Sequence, residues 1–76
     1  MRNIMTKIQN ISEIGREIRA RRRELGYTQA FLAEYAGVSA SFISELENGK
    51  PTVQLDKMMY ILSLLGMDLC IARRGE

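Results

Sequence analysis

The sequence predicts an all-α domain, a helix-turn-helix bundle of four to five helices closed by a C-terminal β-strand that pairs with its mate across a homodimer. Three observations predict it. Two short segments of helical apolar period, opened by the hydroxyl residues Thr28 and Ser39, are separated by only about three residues around Gly37. A wide apolar face recurs between residues 54 and 65. Beyond Gly66, the residues Met67, Leu69 and Ile71 alternate with Asp68, Cys70 and Ala72, which is the period of a half-buried strand.

Size and composition set the frame for these elements. With 76 residues, 46% hydrophobic and 26% charged, the chain reads as one small domain: an N-terminal arm over 1–10, a helix-turn-helix unit over 11–66, and a strand with its tail over 67–76. A chain this short buries only about 60% of its unfolded surface, so a second copy would stabilise it. Apolar runs such as residues 58–62 fall far short of the ~20 residues of a membrane span, and no apolar signal core opens the chain. A cytosolic protein is the expectation, with no membrane partner. Cys70 stands alone and histidine is absent, so neither a disulfide, a metal site nor a cofactor is expected, and catalysis is not.

Taken in order, residues 1–9 give weak signals, with Ile4, Ile8 and Ile11 able to continue a helix that no cap opens. From Asn10 the pattern sharpens. Asn10 with Glu13 resembles a capping pair, and Ile11, Ile14, Ile18 and Leu25 recur at spacings of three, four and seven. Gly26 ends this first helix, and the arginines before it complement the dipole. Thr28 caps a second helix of about two turns that runs to Gly37, and Ser39 caps a third from Ala40 to Glu47, with Asn48-Gly49 as the stop. Small Ala33 lets the two axes approach. Pro51 makes residues 50–53 an extended loop. A fourth helix starts near Gln54, with Asp56 in its first turn and Leu55, Met58, Met59, Ile61, Leu62 and Leu65 on its apolar face. Met58 and Met59 are expected as core and dimer filler, and Cys70 as a small buried hydrophobe. One strand cannot satisfy its own backbone, so its expected partner is the same strand of a second copy.

Charge is local. The net value is +2, but residues 1–25 carry +4, residues 26–49 carry −3 and residues 50–76 carry +1. The run Arg19, Arg21, Arg22 and Arg23 makes either a basic patch or a solvated helix face.

Residues 27–50, with their Thr28-Gln29 opening, Ala33 and Gly37 at the corner and a Leu46-Glu47-Asn48-Gly49-Lys50 close, resemble the Xre family of helix-turn-helix regulators, the type of the lambdoid phage repressors. The resemblance spans roughly residues 11–66. The ending Leu65-Gly66-Met67-Asp68-Leu69 followed by a strand is similar to the HipB-like antitoxins, which dimerise through that strand, bind operator DNA and hold a HipA-type kinase toxin. The resemblance implies a lambda-repressor-like fold and a repressor that works as a homodimer on double-stranded operator DNA, with a HipA-like kinase toxin as its partner. The rival readings are a free-standing Xre repressor without a toxin and a protein-interaction module with little DNA affinity.

Residue by residue, the resemblance makes the helix that follows Ser39 the recognition helix. Ala40, Ser41, Phe42, Ser44 and Glu45 are its expected base readers, and Ala40 and Phe42 suit thymine methyls while Glu45 suits a cytosine amino group. Gln29, Ser39, Asn48 and Lys50 are the expected phosphate contacts, with Arg19 and Arg23 available for phosphate or solvent. Arg22 and Glu47 are expected as an ion pair that locks the first helix to the end of the third. Ile61, Leu64, Leu65, Met67, Leu69 and Ile71 are the expected dimer interface. Phe31 and Tyr35 occupy positions that family members commonly fill with polar residues, so they present an aromatic pair for a partner or for cover by the N-terminal arm.

Overall fold

A computed structural model describes residues 5–75 of the chain. Ile4, the first apolar position of the arm, lies outside the described residues, as does Glu76 at the end of the tail. The described part of the arm, residues 5–9, is not helical, and four helices follow: α1 (Ile11–Glu24), α2 (Gln29–Ala36), α3 (Ala40–Glu47) and α4 (Leu55–Leu64).

Short polar side chains open the first three helices. Asn10 Oδ1 accepts from the Glu13 N–H at 3.1 Å, and the Glu13 carboxylate reaches back to accept from the Gln9 N–H at 2.6 Å. Thr28 Oγ1 accepts from the Phe31 N–H and Ser39 Oγ from the Phe42 N–H, each at 3.0 Å. α4 is opened by Gln54 without a side-chain cap. The corner between α2 and α3 requires Gly37, whose φ of 73° is left-handed, and the next residue's N–H returns to Ala33 O at 2.9 Å. Ala33 is buried beneath that corner, so a larger side chain there would force the two axes apart.

The core is drawn from every helix: Ile18 of α1, Leu32 of α2, Ile43 and Leu46 of α3, and Met58 and Ile61 of α4, all within 2% of complete burial, as is Leu65 just beyond α4. Each such side chain contributes about 1.5–3 kcal/mol by leaving water. Gly15 lets α1 meet α3 at backbone distance. A Cβ there would stand 2.5 Å from Leu46 O and 2.6 Å from Glu47 O, so only glycine fits.

Several expectations for the fourth helix and the tail are corrected. Ile61 and Leu65, expected at a dimer interface, are 0% and 1% exposed within the single chain and belong to its core, whereas Leu64 is half-buried. Met59, expected as core and dimer filler, lies outside the core of the single chain at 48% exposure, and Cys70 is exposed rather than buried. Residues 67–73 carry no regular secondary structure, and among the described residues there is no strand at all. The physical reason is that a strand exists only in a ladder, and the described residues supply no second strand to 67–73. No helix among the described residues is long and apolar enough to cross a membrane.

Candidate nucleic-acid interface

The N-terminal half of α3 stands on the surface. Ala40 and Ser41 are exposed and Ser44 and Glu45 half-exposed, while Ile43 and Leu46 hold the opposite face in the core. Phe42 is half-buried against the core. Ser39 is engaged as the cap, and the first backbone amides of α3 point out of the same end.

Beneath this surface lies a polar knot. Arg22 Nε donates to Glu47 Oε2 at 2.6 Å and its Nη2 to Glu47 Oε1 at 3.0 Å, a two-pronged pair, while Nη1 donates to Tyr27 O at 2.8 Å. Gln29 Nε2 donates to Glu47 Oε1 at 3.0 Å. The Glu47 carboxylate at the end of α3 thus holds α1 and the first residue of α2, and Arg22 in turn holds the loop before α2. Burial pushes the Glu47 carboxyl up, but the hydrogen bonds from Arg22 and Gln29 and the adjacent positive charge outweigh it and hold its pKa below the ordinary carboxylate value. The hydrogen bond to Glu47 raises the Arg22 value against the opposing effect of burial. Both partners are therefore charged in the fold, and no buried side-chain nitrogen or oxygen among the described residues lacks a hydrogen-bond partner.

Gln29 commits one amide hydrogen to Glu47 and keeps its second. Asn48, exposed, donates to Ser44 Oγ at 3.5 Å. Lys50 Nζ is paired with Glu45 Oε2 at 2.9 Å across the end of α3. Arg19 and Arg23 are exposed on α1. Phe31 and Tyr35 are 49% and 57% exposed, and they extend a ladder that starts at Tyr27, with ring centroids 4.8 Å and 6.0 Å apart. The described residues of the arm do not cover them; residues 5–9 instead line a groove together with Ile14, Glu17, Leu62 and residues 66–75.

Two residues escape the sequence reading. Arg21, read only as part of a basic run, donates its Nε to Leu65 O at 3.0 Å and so closes the end of α4 against α1. Lys57, in the first turn of α4, places its ammonium 5.8 Å from the Phe42 ring centroid. A signal for Lys57 was present, because a cation in the first turn opposes the helix dipole and needs another reason to be there. Among the described residues no cluster of His, Cys, Asp and Glu has the makings of a metal site.

The arrangement of capped α2, glycine corner and surface-facing α3 is a helix-turn-helix, and residues 18–71 match the Helix-turn-helix family HTH_3. The chain belongs to this Xre-type family of DNA-binding transcriptional regulators. It is 40% identical over 70 residues, 92% of each chain, to an uncharacterized HTH-type transcriptional regulator, y4mF, of Sinorhizobium fredii. Among solved structures it is similar to a HipB variant in complex with an O2 20mer, at 25% identity and a TM-score of 0.84 over 95% of this chain and 100% of that one. It shares its fold with a chain of the HipA-HipB-O2-O3 complex, at 24% identity and a TM-score of 0.83 over 93% of this chain and 100% of the other.

Proposed function

We propose that this protein is a sequence-specific DNA-binding repressor that acts as a homodimer, regulates its own operon from the cytoplasm, and serves as the antitoxin of a HipA-like kinase. The observation that carries the DNA reading is the exposed start of α3, bearing Ala40, Ser41, Ser44 and Glu45 and locked to α1 and α2 by Arg22, Glu47 and Gln29. A helix held in this way enters a major groove without first having to be ordered. Ser41 and Ser44 bond to base edges, Ala40 and the rim of Phe42 meet thymine methyls, and Glu45 accepts from a cytosine amino group. Ser39, the second N–H of Gln29, Asn48 and Lys50 hold phosphates around them, and Arg19 and Arg23 supply positive field beside them.

Dimerisation belongs to the tail. Residues 67–73 pair antiparallel with the same residues of a second copy, and Leu64, Met67, Leu69 and Ile71 form the apolar face so covered. Leu69 and Ile71 are 39% and 98% exposed in one chain, which supports a covering partner. The HipA-like partner is supported by the likeness to HipB, and the exposed Phe31 and Tyr35 are the surface proposed to meet it.

Footprinting on the DNA upstream of the protein's own reading frame tests this reading. The expected result is two protected half-sites about 34 Å apart on one face of the duplex. Uniform or absent protection at concentrations that saturate the DNA of a related repressor would overturn it.

A further inference from the structure

Beside the exposed face of α3 lies a cleft of about 190 Å³, lined by Phe42 and Glu45 of α3, Lys50, Thr52 and Gln54 of the following loop, and Lys57 of α4. Phe42 and Glu45 are three residues apart and share one flank of the helix. An α-helix with its side chains is about 10–12 Å across and the major groove about 12 Å wide, so phosphates run along both flanks of an inserted helix. Two cations converge on this flank. Lys50 is neutralised by Glu45 at 2.9 Å, with both side chains about half exposed. Lys57 has no carboxylate within 4.0 Å among the described residues and rests over the Phe42 ring instead.

We infer that this cleft seats a backbone phosphate of the bound DNA, with Lys57 and Lys50 as its two cations, and that Glu45 fills the anion's place in the free protein. The inference rests on the DNA-binding reading and adds to it a residue of α4 and an exchange of partners. When a phosphate enters, Lys50 leaves Glu45 for the phosphate, and Lys57 swings from the ring of Phe42 toward the same anion. Thr52 and Gln54 offer a hydroxyl and an amide to its remaining oxygens. Glu45, released from Lys50, regains a partner only where a cytosine amino group stands ready to donate to it, so the exchange couples phosphate binding to base choice. A carboxylate left beside phosphates without such a donor is repelled, which disfavours other sequences.

The test is Lys57→Met in the full chain, which keeps the stem that covers Phe42 and removes the charge. Binding to the promoter duplex and to a scrambled duplex is measured over a range of salt. Without Lys57 the exchange fails, Lys50 stays with Glu45 and one phosphate per subunit is no longer neutralised, so the variant should bind both duplexes about three- to tenfold more weakly, with a plot of log affinity against log salt shallower by about 0.9 per subunit, or about 1.8 for the dimer. Lys57→Arg should restore the slope. If Lys57→Met matches the parent in affinity and slope while the parent binds tightly, the phosphate seat is wrong and the DNA reading stands. A loss of affinity at unchanged slope assigns Lys57 to packing on Phe42 and also overturns the seat. If the parent itself binds neither duplex, the DNA reading fails and the seat fails with it.

Discussion

Arg22, Glu47 and Gln29 show how one buried carboxylate sets the geometry of a surface. A buried ion pair adds little net stability, because desolvation opposes the attraction, but removing one partner leaves the other charge buried and unpaired. Arg22→Met should therefore destabilise the fold by about 3–5 kcal/mol in chemical denaturation. The pH dependence follows from the lowered Glu47 value: its contribution is fully present above the unfolded carboxyl value of about 4.3 and is lost as pH falls through the lower folded value. Glu47→Gln should flatten the acid limb of the stability curve, and an unchanged limb would place the acid sensitivity elsewhere. At the surface, Gln29→Ala and Lys50→Ala should weaken binding to every sequence alike, while Ser41→Ala and Ser44→Ala should each alter preference at one base position in a binding-site selection. Equal effects of all four on specific and random DNA would refute this division of roles. The pair itself joins residues 25 apart in sequence, and no local pattern announces it; it was legible only through the family resemblance.

At the scale of elements, the caps were the most legible part of the sequence because a cap is a local event: Asn10, Thr28 and Ser39 each bond to an N–H three residues on. Thr28→Ala or Ser39→Ala should each cost about 1 kcal/mol in thermal or urea unfolding. α4 was legible as a helix but not in its orientation. It carries apolar residues at 55, 58, 59, 61, 62 and 64, with Leu65 just beyond, more than one face holds, so periodicity does not say which stripe is core. The fold buries Met58, Ile61, Leu62 and Leu65 and leaves Leu55 and Met59 outside. Gly15 was equally silent, since a lone glycine inside a helical pattern reads as a mild defect until the neighbouring helix is placed. Gly15→Ala gains up to ~1 kcal/mol of helix propensity, yet it should still destabilise, because overpacking against the α3 carbonyls costs about 1–3 kcal/mol and forces the axes apart. Circular dichroism melts will read the sign, and a stabilised variant would show that α1 and α3 are not held at this distance.

For the whole molecule, the tail decides what a single chain lacks. The alternation of Met67, Leu69 and Ile71 was legible, but a ladder partner is not a local property: among the described residues 67–73 lie in no ladder, and Leu69 and Ile71 stand exposed. Deleting residues 67–76 should leave a helical but less stable monomer in sedimentation, since Ile61 and Leu65 remain within its own core. Operator affinity should then collapse, because one recognition helix reaches one half-site only. A truncated chain that sediments as a tight dimer would move the interface to the exposed stripe of α4. If the surface of α3 and its flanking cations grip DNA, the salt dependence of binding to the protein's own promoter shows it most plainly. Log affinity should fall linearly with log salt, with a slope of about −0.9 for each of several phosphates neutralised per subunit. Binding that is insensitive to salt, or no binding even at low salt, would contradict it.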